Sequence, residues 1–227
     1  MARSSSKVQC FLQPYLLYTN RYLPYMSDKK IPHLIFECPA SFPDQAVELS
    51  TKEIRTPGLE LAVNKREPRP FMAMEWAIPT ALAVYILKPY FEAFLKEAGK
   101  DHYNLLKGWL TKTVVSGKQI KTTIVRASQS TNKGDSGYTQ SLSISVFVQT
   151  KNDRIIKFLF DDQLTDEEWE HAVAMLLDLS EEHFNSYPND NLTGQLAELS
   201  QHRGTTYYAT IDLQRKQWII TNNVLSR

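Results

Sequence analysis

Cysteine is scarce: Cys10 and Cys38 are the only two in 227 residues. That is too few for a disulfide framework and fits a reducing compartment. A cytoplasmic location is therefore expected, with membrane association as the alternative. Glycine is scarce as well. The eight glycines form neither GxGxxG nor GxxxxGKS/T, so no loop is expected to cradle a phosphate. The GxSxG nucleophile elbow and the HExxH zinc motif are also missing. No large excess of either charge exists, the net being +1, so the whole chain has no overall pull toward nucleic acid or anionic lipid. At the N-terminus Arg3 and Lys7 are followed by Gln9, Gln13 and Pro14, an interrupted pattern from which no signal peptide is expected.

Long hydrophobic runs are missing too, with one segment that comes near. Residues 71–95 have an uncharged centre, Trp76–Leu87, twelve residues bounded by Glu75 and Lys88. A spanning helix needs about 20 apolar residues, and runs of about 10–14 are more often core or interfacial. Pro79 and Pro89 leave about ten residues of uninterrupted helix, or about 15 Å at 1.5 Å per residue. A buried core or subunit-interface helix starting near Pro79 is the expectation. The membrane alternative rests on Trp76, Leu82, Val84, Tyr85, Ile86 and Leu87.

What the chain does contain is ordinary globular composition, 42% hydrophobic and 22% charged. The expected fold class is α+β: an irregular, β-leaning region over 1–70, an apolar segment and helical hairpin over 71–118, and an α+β domain over 119–227. In the first region His33–Phe36 and Leu59–Val63 read as short strands among prolines. Lys65–Pro70 is a polar, proline-broken connector. Asp101 is a good N-cap for a helix that places Leu105, Leu106, Trp109 and Leu110 on one side. The last region is easier to read. Residues 119–127 form a strand. Ser141–Thr150 alternates, with Leu142, Ile144, Val146 and Val148 facing one way. Ile156, Phe158 and Phe160 mark a third strand across a tight turn at Asn152-Asp153. Thr165–Glu168 is a capping box opening a helix with Trp169, Val173, Leu176 and Phe184 at core spacing. A shorter helix holds Leu192, Leu196 and Leu199, and 205–213 with 217–222 make a hairpin. Strands in runs followed by helices predict a mainly antiparallel sheet backed by two helices.

Charge is divided along the chain. Residues 1–160 hold 22 Lys and Arg against 13 Asp and Glu, whereas 161–227 hold 4 against 12. One acidic helix, residues 166–182, accounts for most of the second figure. It reads as a solvated face, or the division marks a basic half that docks an acidic partner or packs on the chain's own acidic tail.

Three constellations bear on chemistry, and none is complete. Glu168-x-x-His171 places a carboxylate and an imidazole on one helical face, but a carboxylate metal site needs a second copy. Cys10, His33 and Cys38 are three zinc donors without a fourth or a C-x2-C spacing. A cysteine with a histidine makes a nucleophile–base pair only where something activates it. No catalytic, metal or cofactor-binding residue is therefore assigned, and no cofactor is expected. Tyr15, Tyr18, Tyr22 and Tyr25 share one face of a helix from Pro14. The polar stretch 128–138, with Lys133, Asp135 and Tyr138, is longer than a usual hairpin loop. These residues are candidates for contact with another protein or with a second copy. Basic residues over 121–157 lack the interleaved aromatics of a nucleic-acid face, so nucleic acid is not an expected partner. The leading expectation is a non-enzymatic protein–protein interaction or regulatory module of bacterial type. The alternatives are a membrane-active effector working through 71–112 and a small enzyme with a dispersed Cys/His site.

Overall fold

The structure is a computed structural model that describes residues 31–67, 80–97, 99–120, 140–199 and 206–222. Of two compact units, Met1–Ile31 and Pro32–Arg227, the second contains all the secondary structure of the described residues. Seven strands form one sheet: β1 (Leu34–Pro39), β2 (Leu61–Arg66), β3 (Leu82–Ile86), β4 (Gln140–Gln149), β5 (Ile155–Asp161), β6 (Thr206–Asp212) and β7 (Gln217–Thr221). The five helices are α1 (Asp44–Lys52), α2 (Lys88–Glu97), α3 (Gly99–Lys118), α4 (Asp166–Ser186) and α5 (Asn191–Glu198).

The spatial order is β2-β1-β3-β4-β5-β6-β7. The class is α+β, but the sheet is mixed rather than mainly antiparallel. Neighbours β1/β2, β3/β4 and β5/β6 are parallel, and β1/β3, β4/β5 and β6/β7 are antiparallel. A parallel neighbour requires a crossover connection, usually helical. Here α1 joins β1 to β2, α2 with α3 joins β3 to β4, and α4 with α5 joins β5 to β6. The helices that look like a backing layer in the sequence are therefore the crossovers of three parallel units.

The second correction concerns the apolar segment. No helix starts within residues 80–87. Residues 82–86 are β3, paired antiparallel with β1 and parallel with β4. LAVYI is a short apolar run, and periodicity alone cannot separate a buried strand from a buried helix in such a run. Pro89 does not end a helix either. It lies in the first turn of α2, where a proline costs no intrahelical hydrogen bond. The strand expected over 119–127 falls mainly on 121–127, outside the described residues, while Gln119 and Ile120 form the turn that ends α3.

Alternation along the strands creates two faces. Leu34, Phe36, Cys38, Leu82, Val84, Ile86, Ile144, Val146, Val148, Ile156, Phe158, Phe160, Tyr207, Ala209, Trp218 and Ile220 pack in one cluster. All five helices add side chains to it, among them Val47 of α1, Phe91 of α2, Leu106 and Leu110 of α3, Trp169 and Leu176 of α4, and Leu192 and Leu196 of α5. Each fully buried large side chain contributes about 1.5–3 kcal/mol. Indole N–H groups link the layers. Trp109 of α3 donates to Ser50 O of α1 (2.6 Å), Trp169 to Asp161 O (2.8 Å), and Trp218 of β7 to Ala172 O of α4 (3.2 Å). A buried indole needs such a partner.

The capping box at the start of α4 forms as expected. Glu168 N–H donates to Thr165 Oγ1 (3.2 Å) and Thr165 N–H to Glu168 Oε2 (2.7 Å). Replacing Thr165 with alanine should remove one satisfied donor and cost about 1 kcal/mol. Thermal denaturation with unchanged far-ultraviolet circular dichroism would check this.

Candidate functional site on the second face of the sheet

The strand residues between the core positions point to the other face. Register aligns Ile35 with Tyr85, Tyr85 with Phe147, Phe147 with Lys157, and Lys157 with Tyr208. A parallel row runs Asn64, Glu37, Ala83, Ser145, Leu159 and Thr210. Tyr85 and Phe147 stack at 4.4 Å between centroids, nearly coplanar at 10°. The Lys157 ammonium lies 5.3 Å from the Phe147 ring centre, within cation–π range.

Charge on this face is concentrated toward β1 and β2. Arg66 Nε lies 2.7 Å from Glu37 Oε1, a contact of charge more than an aligned hydrogen bond. Its Nη2 donates to Thr80 O (2.7 Å) and Ala81 O (3.2 Å), just before β3. Thr80 and Ser145 join their hydroxyls at 2.6 Å. Glu37 and Lys157 are both buried, 2% and 5% exposed, and none of Glu37, Tyr85, Lys157 or Tyr208 is without a partner. Burial pushes the Lys157 amine down to about 7, and the neighbouring Arg66 charge pushes the same way. An amine held there exchanges its proton near neutrality, the condition under which lysines act as bases or nucleophiles.

A second titratable pair, His183 and Asp190, is fully buried. His183 Nδ1 and Asp190 Oδ1 are 2.9 Å apart, and His183 Nε2 accepts from Lys151 N–H at 3.0 Å. With Nε2 accepting, the proton sits on Nδ1 and is donated to the carboxylate. Asp190 also accepts from Thr193 N–H (2.8 Å) and Thr193 Oγ1–H (2.6 Å), capping α5. Burial raises the Asp190 pKa, but the bonds from Thr193 and His183 outweigh it and hold the carboxylate below its usual range. Both imidazole nitrogens are committed within the chain. The pair pins the β4–β5 turn to the start of α5.

The residues singled out in the sequence are dispersed. Tyr15, Tyr18, Tyr22, Tyr25, Lys133, Asp135, Tyr138, Trp76 and Cys10 lie outside the described residues. Leu82, Val84 and Ile86 are buried in the core cluster, Tyr85 is on the second face, and Leu87 follows β3 half-buried. Cys38 is buried on the core face, and burial raises its thiol pKa. His33 Nδ1 accepts from Glu60 N–H at 2.9 Å. Glu168 is spent on the capping box and His171 is exposed. Among the described residues no three or more of His, Cys, Asp and Glu gather as a metal site, and no helix is long and apolar enough to cross a membrane.

Glu37, Arg66 and Lys157 were not singled out as a group. In sequence Lys157 looks like the solvent side of an alternating strand. The available signals were Leu159, apolar on that same side, and the consecutive Tyr207-Tyr208 on β6, which together require both faces to be apolar in part. Comparison with protein-family models, curated proteins and solved structures finds no match to the chain.

Lys157 gives a pH prediction. The unfolded lysine titrates near 10.4 and the folded one near 7, so between these values the unfolded state binds more protons and stability rises with pH. From about pH 7 to about pH 8.5 the gain should be about 1–2 kcal/mol. Urea denaturation should show it in the native chain and lose it in Lys157→Met, which should also be the more stable of the two at neutral pH.

Proposed function

We propose that the chain is a non-enzymatic interaction module, regulatory or accessory in role, that recognises a basic partner through the outward face of α4. The supporting observation is the distribution of charge on that helix. Trp169, Ala172, Val173, Leu176, Leu177, Ser180, His183 and Phe184 face the core, while Asp166, Glu167, Glu170, Asp178 and Glu182 are exposed. Asp162, just before the helix, and Glu198 on α5 are exposed as well. Among the described residues the basic half of the chain answers this face in part. Lys118 of α3 bonds Asp166 at 2.8 Å, and Tyr103 of the same helix bonds Asp178. The remaining carboxylates form a one-sign surface on a rigid helix, an arrangement that steers an oppositely charged partner and sets specificity.

The test is charge reversal on the full chain. Glu167→Lys, Glu170→Lys and Glu182→Lys combined should leave the melting temperature nearly unchanged, since exposed substitutions usually act within about 0.5 kcal/mol. Cross-linking mass spectrometry should identify a basic partner whose capture weakens steeply with salt and is lost in the triple variant. A partner captured equally by both proteins and at all salt concentrations would remove α4 from the interface.

A further inference from the structure

β7 is the last strand of the sheet among the described residues, and one of their side chains bonds its outer edge. Gln195 of α5 donates from Nε2 to Trp218 O (3.1 Å) and accepts at Oε1 from Ile220 N–H (2.9 Å). These two backbone groups point away from β6, and they are the pair that a further strand would engage. The carboxamide supplies one donor and one acceptor, which is what the peptide groups of an added strand would supply there. Its position is fixed from behind. Gln195 Nε2 also donates to Asn191 Oδ1 at 2.7 Å, and α5 itself is anchored at its N-cap by the buried Asp190–His183 pair.

We propose that Gln195 is a latch over a self-association edge, and that β7 pairs antiparallel with β7 of a second copy when the latch is removed. The composition of the strand indicates the occupant. Gln217–Thr221 has no charge and two adjacent isoleucines, whereas edges kept apart from their own copies usually carry lysine, proline or a bulge. Beside it lies a groove of about 270 Å³ lined by Asn191, Gln195, Glu198, Leu199, Gln217 and Ile219. Two β7 strands related by a two-fold axis offer each other the same alternating donors and acceptors, and the contact closes at a dimer. This inference is independent of the acidic face of α4.

The experiment is sedimentation of the full chain over a wide concentration series. The wild type should sediment at monomer mass throughout. Gln195→Ala, which removes both bonds and leaves the helix intact, should move to twice that mass with increasing concentration. Gln195→Ala combined with Ile219→Lys, which places a charge on the exposed edge, should return to monomer mass. Hydrogen exchange gives a second readout: the Ile220 amide should be protected in the wild type, fast in dilute Gln195→Ala and protected again when that variant is concentrated. A Gln195→Ala protein that folds and stays monomeric at every concentration overturns the proposal. So does a dimer that Ile219→Lys fails to disperse, or a wild type that dimerises to the same extent.

Discussion

β3 is the join on which the sheet depends. It is five residues long, lies between β1 and β4, and bonds to one antiparallel and to the other in parallel. Without it β2-β1 would be one ribbon and β4-β5-β6-β7 another. Two-stranded ribbons are marginal in water, so the N-terminal pair in particular depends on this strand. The side chains suit the position. Leu82, Val84 and Ile86 are buried toward the helices, while Ala83 is small where the opposite face is crowded and Tyr85 stacks on Phe147. A strand buried on both faces reads as a continuous apolar run, and the two prolines that flank this one mark its ends.

That property explains which parts of the fold were legible. Thr165–Glu168 and the stripe from Trp169 to Phe184 announce α4 because a helix that is half exposed must alternate at its own period. β4 shows one clean face in Ile144, Val146 and Val148, and Ser141, Ser143 and Ser145 label the other. The hairpin β6–β7 follows from two apolar runs around Gln214–Lys216. β3 was misread because nothing in LAVYI distinguishes inside from outside. The parallel pairs were missed for a related reason. Strand direction is not encoded in a strand's own residues, and it emerges only once the helices are recognised as crossovers. The candidate site was hardly legible. Glu37, Arg66 and Lys157 come from three strands far apart in sequence, and register alone brings them near one another.

Two kinds of charge result. On the second face, Glu37 and Arg66 are paired with Glu37 almost fully buried. A buried pair of this kind is poor evidence of added stability, because desolvation offsets much of the attraction. Its effect is on register. Arg66, at the end of β2, reaches the carbonyls of Thr80 and Ala81 just before β3, so the edge strand and the central strand are held at one relative height. On α4 the carboxylates are in water and contribute little to stability.

Among the described residues the two outer strands of the sheet differ in composition and in what bonds them. β2 ends in Lys65 and Arg66, and Lys65 reaches across to Phe42 O and Asp44 beside α1. Charge and a short length make that edge a poor template for another strand. β7 is shorter still, five residues against six, but carries no charge. Its outer residues must also be apolar on one side, because Trp218 and Ile220 complete the core against α4 and α5. A charge within the strand would therefore be confined to Gln217, Ile219 and Thr221, which pair with Asp212, Thr210 and Tyr208 of β6. The core leaves only those three positions for a charge, and none of them carries one. A side chain from the adjacent helix, Gln195 bonding the edge from outside, satisfies Trp218 O and Ile220 N without altering either face.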